Sequence, residues 1–371
     1  MSGGEPNITW RDVPDMLVAS IRFNGKHEEI GKQLETLSKS AGSRACGRPF
    51  VLHRGGGDME VCLPVTEPAE DDGVGGSSRG GPDEIIYGTL EGALMMCAPF
   101  GGDHGSDETG GALGKTFGDL WRYAIEHHIG VTEEPWREEF LDHEPGGVGA
   151  YSAELQVPML LPKWLERLKV GLDRHAGASV RQHVLGGSDG LSPRSDPSSK
   201  VAWMKGAMAR LDSAVEDEDK RREIMCGCAH VYPKGHTAKL KNDYERLGSI
   251  DALLDDIAED PGYGGAPYYR DPERDGNVIF IEKNPQEREK HETATDPRVK
   301  RAAACHCPVV KAAILAGEDI SFTFCNCGTG WFKPLWESIV EAPVKVVCEG
   351  SVLKGDESCK FAIHLPEEKH A

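Results

Sequence analysis

Residues 16–22 (MLVASIR) form a short apolar run that predicts a buried strand. The following FNGKHEEIGKQLETLSKSAG sets Ile30, Leu34 and Leu37 at i, i+4 and i+7, the spacing of one helical face. Two short apolar segments come next, RPFVLHRG and DMEVCLPV, with Gly55, Gly56 and Gly57 between them as a turn. The order is strand, helix, strand, strand. It then returns. After DDGVGGSSRGGPDE, which lacks apolar content and predicts a loop, come IIYGTLEGALMMCAPF and a helix with Leu113, Phe117, Leu120 and Ala124 on one face. REEFLDHEP and AYSAELQVPM close the second copy, and its ending from Glu154 to Pro158 matches Glu60 to Pro64 of the first. Such a duplication predicts two half-sheets side by side, related by a pseudo-twofold axis, with a groove between them.

Beyond residue 160 the pattern changes. LPKWLERLKVGLDRHAG is basic and amphipathic, and GGSDGLSPRSDPSSK is rich in turn residues, so 161–199 reads as a linker between domains 1–160 and 200–371. A helix starts near Lys200, with Ser198 or Ser199 as its cap and Met204, Met208, Leu211 and Val215 on one stripe. Helical segments around Leu240–Leu247 and Ile250–Ile257 follow, then the loop PGYGGAPYYRDPERDGN and the strand VIFIEKN. Further short strands are expected up to Cys305. GWFKPLWESIVE reads as a helix with Pro334 in its first turn, and VKVVCEGSVLKGDESCKFAIHL as a hairpin turning near Lys354-Gly355-Asp356. The fold class is α+β: a duplicated antiparallel-sheet domain followed by a second α+β domain.

Composition narrows the partners. With 42 basic against 61 acidic residues the net charge is -19, which repels nucleic acid and anionic membranes. The first residues lack a basic stretch followed by an apolar core, and no run reaches the ~20 apolar residues of a membrane span, so a cytoplasmic protein is expected.

The 11 cysteines are the strongest chemical signal, since eight of them fall between positions 226 and 359. They include three C-x-C pairs: Cys226 with Cys228, Cys305 with Cys307, and Cys325 with Cys327. In an extended strand alternate side chains share a face, so each pair is half of a thiolate site for zinc or an iron–sulfur cluster. Two other readings stand beside this one: a thiol–disulfide couple, and buried free cysteines that act as small apolar residues. His230 and His306 are the nearest histidines in sequence, and alternation turns His306 away from its neighbours. TGGALGKT at 109–116 imitates a phosphate loop, but Thr109 replaces its first glycine, and Asp103, Asp107 and Glu108 beside it would repel phosphate.

The duplicated unit, with FNGKHEEIG in one copy and FGDLWRYAIEHHIGVTEEP and AELQVPM in the other, resembles the GyrI-like small-molecule-binding domain over about residues 8–160. The resemblance implies a central groove for apolar, often cationic, ligands; some members hydrolyse strained cyclopropane-containing compounds. By position, Glu154 matches the family's pocket carboxylate and Trp121 a common aromatic, while Phe140 stands where a tyrosine is frequent and argues against tyrosine-assisted hydrolysis. A carboxylate between apolar neighbours on a buried strand either pairs with a cation or has a raised pKa suited to acid–base work. Glu154, Trp121, Trp136 and Tyr151 are therefore the candidate ligand-binding residues, with Glu154 also the candidate catalytic group. The alternative is that Glu154 pairs with an arginine and the aromatics fill the core.

The segment from CNCGTGW to CKFAIHL resembles the cysteine-containing end of the 4-vinyl-reductase-like and 2-amino-thiazoline-carboxylate-hydrolase-like domains, through Gly355, Asp356, Cys359, Phe361 and Ile363. That resemblance implies small-molecule binding and metal ligation by the cysteines. Together the signals point to a protein that processes a small apolar, electrophilic or cationic molecule, hydrolase-like. A sensor or sequestering protein without turnover, or a carrier of copper(I) on the thiolates, are the alternatives.

Overall fold

The computed structural model describes residues 7–54, 58–68, 84–102, 111–132, 135–142, 151–228, 234–259, 270 and 272–367. The expected loops at 71–84 and 261–277 lie largely outside these residues, as does His230. The chain forms two compact units, Met1–Glu126 with Val131–Met159, and His127–Gly130 with Leu160–Ala371. Among the described residues no helix is long and apolar enough to cross a membrane.

The first unit begins with β1 (Thr9–Val13). The first copy follows: β2 (Met16–Asn24), α1 (Ile30–Ala41), β3 (Phe50–His53) and β4 (Asp58–Pro64). After β5 (Ile85–Leu90) comes the second: β6 (Ala93–Gly102), α2 (Ala112–Glu126), β7 (Trp136–Phe140) and β8 (Tyr151–Pro158). All eight strands make one antiparallel sheet in the order β1-β6-β8-β7-β3-β4-β2-β5, so the copies meet where β7 lies beside β3. Helix α1 buries its whole apolar stripe, Ile30, Leu34 and Leu37, while α2 buries Leu120 and Ala124 and leaves Leu113 and Phe117 of its stripe half-buried. Helix α1 packs on β2 and β4, and α2 on β6 and β8, which leaves the β7–β3 seam between them.

The register at that seam decides what faces the groove. Trp136 pairs with His53 and Glu138 with Val51, while Arg137 pairs with Leu52 and Glu139 with Phe50. Because side chains alternate, Trp136, Glu138, Phe140 and His53 share one face and Arg137, Glu139 and Phe50 the other.

The second unit has two cores. The stretch 161–199, expected as a linker, carries α3 (Leu160–His175) and α4 (Ala178–Val184) and buries Trp164, Leu168, Leu172 and Val184 in the first core. They pack there with α5 (Pro197–Ala214) and α6 (Glu218–Cys226). The methionine stripe of α5 is buried as its spacing implies, but Asp196, not a serine, caps the helix by accepting from the Ser199 N–H ahead of Pro197. Gly171 lets α3 approach α6, since a Cβ there would lie 2.9 Å from the Ile224 carbonyl oxygen.

The second core lies between α7 (Lys234–Leu247), α8 (Ile250–Glu259) and a four-stranded antiparallel sheet. That sheet contains β9 (Glu273–Asp275), β10 (Val278–Glu282), β11 (Lys345–Gly350) and β12 (Lys360–His364), in the order β11-β12-β10-β9. The strands expected before Cys305 are instead helices: α9 (Arg288–Thr293) and α10 (Pro297–Ala304), followed by α11 (Pro308–Ala316). The reason is local: Asp296 accepts from the Arg298 and Val299 N–H groups, and Pro297 and Pro308 occupy first turns. Helix α12 (Thr329–Val340) continues directly from the 3-10 helix Phe322–Gly328 and starts ahead of Gly330, so Pro334 lies in its interior and not in the expected first turn.

Candidate functional site

In the first unit the sheet face that carries Trp136, Phe140 and His53 is built around Glu138, whose side chain is fully buried. His27, in the 3-10 turn His27–Glu29 ahead of α1, and His53, at the end of β3, each place Nε2 2.9 Å from the same Glu138 oxygen, Oε2. The Tyr151 hydroxyl donates to the other oxygen, Oε1, at 2.9 Å. Burial would raise the Glu138 carboxyl, but the hydrogen bonds from His27 and His53 outweigh it and hold it well below the usual carboxylate range. Burial lowers the pKa of His53 against the pull of Glu138, so this imidazole is neutral near pH 7. Burial, with Glu138 beside it, raises the Tyr151 phenol, which therefore stays protonated.

Aromatic rings form the wall. Trp136 stacks on His53 with ring centroids 3.7 Å apart and planes 6° from parallel. Phe117 of α2 meets Trp136 at 5.6 Å and Trp121 at 6.4 Å, and Trp121 is 38% exposed. Tyr151 packs edge-on against Phe140 and Phe100. Three of the residues singled out from the sequence, Trp121, Trp136 and Tyr151, thus belong to one continuous aromatic and polar surface. Phe140 carries no hydroxyl, and on the neighbouring strand Tyr151 presents one to Glu138.

Glu154 is placed elsewhere. It pairs with Glu139 across β7 and β8 and so lies on the opposite face from Glu138. There it accepts from Arg11 Nη2 at 3.0 Å and Gln156 Nε2 at 2.8 Å. Glu139 accepts from Arg137 at 2.9 Å and Gln156 at 3.1 Å, and Arg137 stacks on Phe50 at 3.7 Å. This is a closed network in which Glu154 has its cation in Arg11. The carboxylate that shares a face with Trp136, Phe140 and His53 is Glu138. Strand periodicity held the signal, since Trp136 and Phe140 mark an aromatic face of β7 that Glu138 shares and Glu139 does not. Nothing in the spacing pointed to His27 or His53, which lie 111 and 85 residues from Glu138.

In the second unit none of the three C-x-C pairs lies on a strand, whereas Cys348 lies on β11. Cys226 ends α6, Cys305 and Cys307 span an extended step between α10 and α11, and Cys325 and Cys327 lie on the 3-10 helix Phe322–Gly328. His306 turns to the Asn284 carbonyl at 2.7 Å. In their ionised forms Cys228 would repel Cys226 and Cys327, Cys327 would repel Cys307, and Cys305 would repel Cys307 and Cys359. Cys325 and Cys348 join through Cys359, so all eight sulfurs form one linked series. The C-x-C pair of the 3-10 helix is split: Cys327 packs with the first core and receives the Trp164 indole N–H at 3.4 Å, while Cys325 packs with the second and meets Ser351 at 3.1 Å.

Burial raises the thiols of Cys226, Cys228, Cys305, Cys307 and Cys325, and pushes Cys327 and Cys348 up to about 12. They are protonated at neutral pH and therefore poor nucleophiles. Among the described residues the only group of three His, Cys, Asp or Glu donors all within 4.8 Å of one another is His27, His53 and Glu138. No three of the sulfurs meet that spacing.

No protein-family model matches the chain, and no curated protein sequence does. Solved structures similar to it include the C-terminal domain of EcmrR, at 16% identity over 41% of this chain and 96% of that one, with a TM-score of 0.31. SAV2435 bound to tetraphenylphosphonium shares 14% identity over 42% of this chain and 96% of its own, with a TM-score of 0.27. A hydrolase from Listeria innocua shares 11% identity over 42% and 92% of the two chains, with a TM-score of 0.25.

Proposed function

We propose that the first unit binds a small, largely apolar molecule against Trp136, Phe117 and Trp121 and acts on it by acid–base chemistry, as a hydrolase does. The observation that carries this reading is Glu138: a wholly buried, ionised carboxylate that holds two imidazoles and a phenol beside a partly exposed aromatic wall. Burying such a charge costs several kcal/mol even when paired, a cost that an apolar core would avoid. The duplicated fold and the resemblance of residues 8–160 to GyrI-like domains support it.

The roles follow from protonation states. Glu138 orients the imidazoles, and neutral His53 is the base that accepts a proton from water and returns it to the departing atom. Tyr151, whose proton is held on Glu138, keeps the carboxylate in place. Water thus adds across the broken bond, hydroxide to the electrophilic carbon and hydrogen to the leaving group. The same negative charge suits a lipophilic cation, whose face or edge Trp136 would hold by cation–π attraction.

Tryptophan fluorescence titrated with tetraphenylphosphonium and with neutral triphenylphosphine oxide tests binding. A panel of epoxides and activated esters tests turnover. Glu138→Gln and Tyr151→Phe are expected to lose turnover while they retain the neutral ligand. Wild-type protein that binds but turns over nothing in the panel would reduce the function to binding.

A soft-metal role for the second unit, zinc or an iron–sulfur cluster, is favoured by the linkage of its eight sulfurs and opposed by their spacing. Elemental analysis and the visible spectrum of anaerobically purified protein decide it: an iron–sulfur centre is coloured, and zinc appears only in the elemental data.

A further inference from the structure

We propose that His27, His53 and Glu138 form a mononuclear site for a borderline divalent ion such as zinc or iron(II), set in the floor of the first unit's groove. The proposal names a cofactor for the site described above and rests on reading that site as the working one.

The geometry is close to what such an ion needs. Ligands at roughly 2.0–2.2 Å, with angles between 90° and 110°, lie about 3.0–3.5 Å from one another. Both imidazole nitrogens are 2.9 Å from Glu138 Oε2, and all three donors lie within 4.8 Å of each other. The two imidazole–carboxylate separations need to open by only about 0.1–0.6 Å, and the two imidazole nitrogens, within 4.8 Å of each other, need to close to about 3.0–3.5 Å, to replace two hydrogen bonds by three metal bonds.

The surroundings fix the donors as an outer shell does. Tyr151 holds the second carboxylate oxygen, so that Oε2 is the one aimed at the imidazoles. Trp136, stacked 3.7 Å away, holds the plane of the His53 ring. The three donors come from three separate elements, the 3-10 turn before α1, β3 and β7, so the site exists only in the folded sheet. His27 is the most exposed of the three, at 20% of its side chain, which leaves the remaining coordination positions toward the groove for water or ligand. Two imidazoles with one carboxylate suit zinc, as in open catalytic sites, or iron(II), and do not suit magnesium or calcium, which take oxygen.

The test uses the full chain, freed of metal and titrated with cobalt(II). Visible bands report nitrogen and oxygen ligation, and near-ultraviolet charge-transfer bands report sulfur. One cobalt per chain is expected to bind without sulfur bands and to quench Trp136, read as the difference between wild type and Trp136→Phe. His27→Gln and His53→Gln keep an amide donor for Glu138 and are expected to weaken this ion by more than about 100-fold, beyond the loss usual for an outer-shell partner. Tyr151→Phe is expected to weaken it about 10-fold or more, and Glu154→Gln to leave it unchanged.

Cobalt bound only with sulfur bands, no cobalt bound, or binding unchanged in His53→Gln would each overturn the proposal. Should the histidine variants fail to fold, the wild-type spectrum and the Trp136 quenching decide alone. Tetraphenylphosphonium titrated into the same samples keeps the two readings apart. The ion changes the charge of the site from negative to positive, so cobalt should weaken the organic cation. Binding of the organic cation without cobalt would remove the metal and leave the proposed function standing; cobalt without it would do the reverse.

Discussion

Each unit concentrates metal-ligating side chains, but in opposite ways. In the first, three donors far apart in sequence converge on one carboxylate oxygen. In the second, cysteines paired in sequence are spread by helix ends and a 3-10 turn into a linked series in which no three sulfurs share a coordination sphere. Spacing along a chain translates into geometry only through the element that carries it. C-x-C presents two sulfurs together on a strand and parts them on a 3-10 helix, where each residue turns the side chain by about a third of a circle.

The largest effect that would sharpen this contrast is expected at Glu138. Glu138→Ala strands two histidines and a tyrosine in a buried site and should cost about 3–5 kcal/mol of first-unit stability. Glu154→Ala, on the other face, leaves Arg11, whose side chain is 41% exposed, able to recover water, and should cost only about 1–2 kcal/mol. Urea denaturation of both variants measures the difference; an equal cost would dissolve the distinction between the faces.

Next comes Cys228, wholly buried in the first core of the second unit and bonded to the Ile224 carbonyl at 3.4 Å. Cys228→Ser, which exchanges an apolar thiol for a hydroxyl, should cost about 1–3 kcal/mol if the sulfur serves packing. A stability loss that zinc or iron removal from the wild type reproduces would mark it as a ligand.

A smaller effect depends on pH. Lys311 is almost fully buried and pairs with Glu287. Burial would raise the Glu287 carboxyl, but hydrogen bonds from Lys311 and Lys290 lower it below its ordinary value. A carboxyl with a depressed folded pKa gives stability that is complete above the unfolded value, about 4.5, and is lost as pH falls through the folded value. Lys311→Met should therefore destabilise by about 1 kcal/mol at pH 7, after allowance for solvent screening of Glu287, with the difference from wild type shrinking below pH 4.5. The smallest effect is kinetic. Cys46 is the one exposed cysteine, and it alone should react quickly with a thiol reagent near pH 8, the others waiting for unfolding.

Much of the fold was legible. The duplicated strand-helix-strand-strand order, both helical stripes and the α+β class follow from apolar periodicity, which the packed sheet enforces. Trp121, Trp136 and Tyr151 share one surface with Glu138, through Phe117 and through the Tyr151 hydroxyl. Glu154 lies on the sheet face opposite Glu138, because matching it by position to a family's pocket carboxylate identifies a strand and does not fix which face the side chain takes. The expected strands before Cys305 gave way to helices because the caps at Asp296 and the prolines 297 and 308 outweighed short apolar runs. His27 and His53 were invisible, since their meeting depends on the β3–β7 pairing across the two copies, a contact that no local pattern encodes.

X-ray absorption at the zinc edge, on the full chain loaded with one equivalent of zinc at neutral pH, bears most directly on the claim that the first unit holds the assembled site. The account predicts a first shell of nitrogen and oxygen at about 2.0–2.2 Å. A sulfur shell at about 2.3 Å would contradict it, because the ion would then have drawn the scattered thiols together in preference to the donors already in place.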